Sequence, residues 1–136
     1  MKLTSTVISL AALFSLAPAD SAANVTAYYN AKYDNGQSSI DTVTCYNDKP
    51  VIYQTLGSLP NFPNIGSYQN AGCGSCWAVA YDTRKTVYIL IVDGSNKGFQ
   101  LSLSTLKDLG QLNGIQNKNY SLDVTATEVD QSKCGL

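Results

Sequence analysis

The side chains able to move a proton near neutral pH set the first boundary on this 136-residue chain, because it contains no histidine. Histidine triads, histidine metal sites and the ordinary general base are therefore excluded. Hydrolysis would fall to carboxylates. Glycosidic cleavage normally needs two of them across the bond, an acid with a raised pKa and a base or nucleophile. Asp34 is one candidate, yet it stands in Asp34-Asn35-Gly36, a turn signal in which a turn role is the commoner one. Asp123 is another. Nine tyrosines offer a different chemistry. Aromatic rings serve as platforms for the apolar faces of sugars, and a few fixed amides, hydroxyls or carboxylates then read the sugar hydroxyls.

Four cysteines, Cys45, Cys73, Cys76 and Cys134, are the other reactive set. In an oxidising compartment an even count reads as two disulfides, and the sequence alone leaves three connectivities open. The step Cys73-Gly74-Ser75-Cys76 invites a redox reading, but a dithiol of that kind is expected in a βαβ context. A four-thiolate zinc site lacks its second close pair. No metal and no cofactor are expected.

The elements that would carry these residues follow a leader. Lys2 precedes an apolar run over 3–16, and Ser21-Ala22-Ala23 supplies small residues at its exit, the layout of a secretory signal peptide. The run is shorter than the roughly 20 residues that span a bilayer. Residues 1–23 are thus expected to be a signal peptide and 24–136 a single mature domain. Losing Lys2 and Asp20 leaves the net charge at -1, with neither the basic face of a nucleic-acid binder nor the polybasic stretch of an anionic-membrane binder.

Short apolar or alternating runs at 25–29, 40–45, 77–81, 87–92 and 122–129 are separated by turn formers such as Asp93-Gly94-Ser95-Asn96. They predict a mainly antiparallel barrel or sandwich. The run 87–92 is apolar at nearly every position, as in a strand covered on both faces. One short helix is expected, capped by Ser102 or Ser104, carrying Leu103, Leu106 and Leu109 and stopping at Gly110. Asn24-Val25-Thr26 and Asn119-Tyr120-Ser121 match the N-glycosylation acceptor pattern.

Five segments appear in a characteristic order: Asn61-Phe62-Pro63-Asn64-Ile65-Gly66, Cys73-Gly74-Ser75-Cys76-Trp77, Gly98-Phe99-Gln100-Leu101-Ser102, Asp123-Val124-Thr125-Ala126-Thr127-Glu128-Val129 and Cys134-Gly135-Leu136. Together they resemble the cerato-platanin family over essentially the whole mature chain. The resemblance implies a mainly β fold, a six-stranded double-psi β-barrel with one or two short helices, akin to the first domain of expansins. It implies bridges from Cys45 to Cys73 and from Cys76 to Cys134. It also implies a secreted fungal protein without catalytic activity that binds chitin or N-acetylglucosamine oligomers, or assembles at cell-wall and hydrophobic interfaces. Such a protein would be sensed by a plant receptor as an elicitor or effector of defence. The alternative is an expansin-like agent that loosens polysaccharide, or a very weak glycosidase.

On the same resemblance, Tyr29, Asp93 and Gln100 match positions associated with a shallow groove for N-acetylglucosamine oligomers, although relatives commonly carry Asn where Gln100 stands. Asp93 matches the aspartate shared with expansins. The first-strand Tyr-Asp step reads Tyr29-Asn30 here, and the residue after Asp93, often histidine in relatives, is Gly94. Asp93 is thus left without a proton-transferring mate. Trp77, beside Cys76, is expected to pack in the core. The stretch between Ile65 and Cys73 is shorter than in typical relatives and lacks their Gly-Trp-Asn element.

Overall fold

The computed structural model describes residues 22–46, 52–69, 71–82, 85–110 and 120–136. The leader expected at 1–23 lies outside them except for Ala22 and Ala23, as does Asn119. Asn24 is exposed on the first strand.

Six strands close on themselves: β1 (Ala23–Tyr29), β2 (Ile65–Tyr68), β3 (Cys76–Ala80), β4 (Thr86–Asp93), β5 (Phe99–Leu101) and β6 (Ser121–Val129). Around the barrel the order is β1-β5-β2-β4-β3-β6. Two pairings are parallel, β1 with β5 and β2 with β4; the remaining four are antiparallel. The expected six-stranded barrel is therefore present, and closure leaves no sheet edge to protect.

The apolar patterning explains the elements. In β6, Leu122, Val124 and Ala126 are buried while Ser121, Asp123 and Thr125 face solvent, the period of two that a half-covered antiparallel strand requires. In β4, Val87, Ile89 and Ile91 point into the barrel with Ala27, Val79, Phe99 and Leu101, whereas Leu90 and Val92 belong to a second core. That second core lies between the sheet and the long segment from β1 to β2, and includes Tyr33, Ile40, Val43, Leu56 and Ile65. Two cores, one on each face, account for the continuous apolar run of β4.

Among the described residues one α-helix, α1 (Leu103–Gly110), directs Leu106 and Leu109 into the barrel core. Its cap is Ser102 rather than Ser104: the Ser102 hydroxyl accepts the Thr105 amide at 3.2 Å, satisfying one of the free N–H groups of the first turn. Residues 40–45, expected as a strand, instead form two 3-10 turns, Ile40–Thr42 and Thr44–Tyr46. Ile40 and Val43, both buried, are three residues apart, which is the period of a 3-10 turn and not of a strand.

The bridges are Cys45–Cys73 and Cys76–Cys134, with Cα separations of 5.5 and 5.9 Å, as the resemblance implied. Trp77 packs against the barrel core, edge-on to Tyr68 at 4.9 Å, and its indole N–H donates to Ser75. Among the described residues no helix is long and apolar enough to cross a membrane.

Candidate functional site

The chain leaves β1 through Asn30, whose side chain accepts the Lys32 amide at 2.9 Å and so caps a 3-10 turn over Ala31–Tyr33. This turn sets the geometry of everything around it. Tyr33 points inward and is buried, while Lys32 stays at the surface. Both reach the same carboxylate.

That carboxylate is Asp93, the last residue of β4 and 4% exposed. Its Oδ2 accepts the Lys32 ammonium at 2.6 Å and the Tyr33 hydroxyl at 2.9 Å. Its Oδ1 accepts the Thr44 amide at 3.0 Å and the Thr44 hydroxyl at 2.8 Å. Burial alone pushes the Asp93 pKa up, since water no longer solvates the charge. The bonds from Lys32, the Thr44 amide, the Thr44 hydroxyl and Tyr33 outweigh it and hold the group below the usual carboxylate range. For Tyr33 the balance is reversed. Burial raises its pKa, the neighbouring Ser67 hydroxyl opposes this, and the Asp93 charge and hydrogen bond add to the rise. The result is an ionised carboxylate bonded to a neutral phenol and a protonated amine.

Gln100 of β5 joins this cluster through Asn30. The Asn30 amide donates to Gln100 Oε1 at 2.7 Å, and Gln100 Nε2 donates to the Ser95 hydroxyl at 3.0 Å. Tyr29 attaches on the other side of the turn. Its hydroxyl donates to Asp34, whose second oxygen accepts the first amide of α1, that of Leu103, at 2.9 Å. The Asp34 bond, with lesser contributions from burial and from the Asp34 charge, raises the Tyr29 pKa. The turn over 30–34 thus supplies partners to three separate polar groups, Lys32 and Tyr33 to Asp93, Asn30 to Gln100 and Asp34 to Tyr29. An open pocket of about 290 Å³ beside Asp34, Leu103, Ser104 and Lys107 adjoins the Tyr29 end.

Asp123 is not part of this assembly. It accepts the Thr26 hydroxyl at 3.1 Å and lines a separate open cleft of about 430 Å³ with Asn24, Val25, Asp82 and Thr125. The larger depression therefore lies away from Asp93. Asp34 is engaged by Tyr29 and α1 and does not bond to Asp93. Among the described residues no group of three or more His, Cys, Asp or Glu could hold a metal ion.

Three members of the Asp93 cluster, Lys32, Tyr33 and Thr44, are invisible to motif reading. Asn30 as a cap was the available signal, because an Asn at a strand exit favours a turn that places the following side chains alternately in and out.

A small closed barrel pinned by two disulfides, with an ordered polar cluster at one strand end, defines a disulfide-bridged module of the kind that persists in oxidising surroundings. The Cerato-platanin family profile matches residues 25–136, and the chain belongs to that family. Among curated relatives it is 32% identical over 118 residues to the "Heat-stable 19 kDa antigen" of Coccidioides immitis (strain RS), covering 79% of each chain. Among solved structures it is similar to cerato-platanin 1 from M. perniciosa, at 33% identity and a TM-score of 0.70, covering 81% of this chain and 98% of that one. It is also similar to the solution structure of "the fungal elicitor Cerato-Platanin", at 29% identity and a TM-score of 0.66, covering 81% and 96%.

Proposed function

We infer that the chain is a secreted, non-catalytic carbohydrate-binding protein of fungal cell walls and interfaces, taking chitin or N-acetylglucosamine oligomers and acting as an elicitor or effector of plant defence. The observation that carries the non-catalytic part is the state of Asp93. A glycosidase acid must hold a proton near neutral pH, and a glycosidase pair needs a second carboxyl group across the bond. Asp93 is held ionised by four donors, and none of its partners is a carboxyl group.

Support for binding comes from the polar groups that the turn over 30–34 holds at the surface. Tyr29 and Gln100 are half-buried at the surface, and their phenol and amide are suited to sugar hydroxyls. On this reading Asp93 fixes the turn over 30–34 and supplies the negative charge of the site, and Tyr29 and Gln100 contact the sugar hydroxyls. Two bridges support export to an oxidising compartment, with residues 1–23 removed on the way. The elicitor role rests on the family and on the description of one relative as a fungal elicitor.

Calorimetric titration of the mature chain with tetra-N-acetylchitotetraose tests the reading, with mass spectrometry of the recovered sugar. Saturable heat, weakened by Gln100→Ala and accompanied by intact tetramer, is expected. Absence of heat removes the binding function, and shortened oligomers whose formation is abolished by Asp93→Asn would establish the glycosidase alternative.

A further inference from the structure

Resting on the carbohydrate-binding reading, we propose that the place held by the Lys32 ammonium on Asp93 is an exchangeable cation seat, and that its ligand is the free primary amine of a deacetylated glucosamine unit within a chitin-derived oligomer.

The seat is made of a carboxylate whose side chain is 5% exposed, an ammonium 2.6 Å away on a side chain 37% exposed, and the Tyr33 ring with its centroid 6.0 Å from that ammonium. Three of the four donors to Asp93 come from Tyr33 and Thr44 and are neutral. Lys32 alone brings a positive charge. It is also carried on a flexible stem that reaches solvent, whereas the Tyr33 phenol is fixed in the core.

A ligand group that displaces Lys32 takes the position of its ammonium on Asp93 Oδ2. A neutral hydroxyl or acetamide arriving there would leave a desolvated carboxylate without a counter-charge, which is strongly unfavourable. A second ammonium exchanges one cation for another and keeps the balance. The surroundings favour a sugar as its carrier. The neighbouring Asn30–Gln100 amide pair and the Tyr29–Asp34 phenol pair are hydrogen-bonding groups of the type that reads ring hydroxyls. Lys32 is then an intramolecular stand-in that sets specificity. Oligomers bearing a free amine displace it, and fully acetylated ones bind beside it.

Calorimetry and amide NMR on the mature chain compare chitotetraose with all four amines free, its fully acetylated counterpart, and an N-acetyl-lysine amide as an ammonium without a sugar. Binding below the pKa of the sugar amine should favour the free-amine tetramer and shift the Lys32, Tyr33 and Thr44 amides, and the preference should disappear once the amine is deprotonated. Lys32→Met, which keeps the stem and removes the competitor, should tighten the free-amine tetramer about tenfold, the gain expected if Lys32 fills the seat roughly nine-tenths of the time. Lys32→Arg should keep the wild-type affinity, and a native amide spectrum of Lys32→Met guards against a folding defect in that variant.

The inference is overturned if the acetylated tetramer binds equally well or better, in which case the carbohydrate reading survives alone. It is overturned together with that reading if neither tetramer binds. Equal binding of the lysine amide and the free-amine tetramer overturns the assignment of the seat to a sugar, and an unchanged or weaker affinity in Lys32→Met, with Lys32→Arg normal, overturns the exchange.

Discussion

Replacing Asp93 by Asn is the most informative perturbation of the fold, because it removes one charge and almost no volume. Asn can still accept the two Thr44 bonds through its carbonyl oxygen. Its amide nitrogen takes the place of Oδ2, which in the native protein accepts from Lys32 and Tyr33. The Tyr33 hydroxyl can reverse and accept, but the Lys32 ammonium can only donate. It must leave for water, and since its side chain is 37% exposed that loss is limited to about 1 kcal/mol. The Thr44 bonds fall from charge-assisted to neutral strength, which removes about 1 kcal/mol more. A total near 2 kcal/mol corresponds to a fall in melting temperature of roughly 10 °C for a domain of this size.

The pH dependence supplies a second check. Because the folded pKa of Asp93 is depressed, its stabilisation is fully present above the unfolded value of about 3.9 and is lost as pH falls through that value and then through the folded one. Calorimetric melts of wild type and Asp93→Asn should therefore diverge at neutral pH and converge in acid. A gap under about 0.5 kcal/mol at neutral pH, or one that is the same at every pH, refutes the reasoning.

Four further outcomes follow from the bridges and the packing. Stepwise reduction followed by alkylation and peptide mapping should open Cys45–Cys73 before Cys76–Cys134, because Cys73 is exposed whereas Cys76 and Cys134 are 0% and 1% exposed. Removing the bridges individually should cost about 3.5 and 4 kcal/mol respectively in denaturant melts, from loops of 28 and 58 residues. Gly98→Ala should destabilise by at least about 2 kcal/mol, since its φ is +45° and the new Cβ would lie 2.1 Å from the Thr26 carbonyl oxygen; Gly94→Ala, with nothing within 4 Å, should stay within about 0.5 kcal/mol in the same assay. Leu90→Ala and Ile91→Ala should each cost about 3 kcal/mol although they face opposite sides of β4, because both are 0% exposed; near-neutral behaviour of Leu90→Ala would remove the outer core.

The readable parts of the sequence were those whose structure is decided locally. The strict alternation of β6 and the unbroken run of β4 each declare how many faces are covered. Ser102 opens α1 by cap chemistry. By contrast β2 and β5 have four and three residues, too few for any period to show, and they exist because closure of the barrel supplies partners on both sides. The turns over 40–46 misled because Ile40 and Val43 serve the outer core, which only the tertiary fold creates.

The candidate site divides in the same way. Asp93 was legible from its place at the end of an apolar strand and from the family resemblance. Its partners Lys32 and Thr44 stand 61 and 49 residues away in sequence, and the Asn30–Gln100 pair spans 70. No local pattern records such contacts. Tyr29 was expected at a groove position, and its hydroxyl is tied to Asp34 at the start of α1, so Asp34 has an anchoring role beyond its turn signal.

The ionisation of Asp93 underlies both the non-catalytic reading and the cation seat, and it can be observed one residue at a time. Carbon-detected NMR of the Asp93 side-chain carboxyl across an acid titration should give a midpoint below the ordinary aspartate value of about 3.9, with the Lys32 and Thr44 signals moving in step. A midpoint raised toward neutrality would make Asp93 a proton donor in waiting and contradict the account.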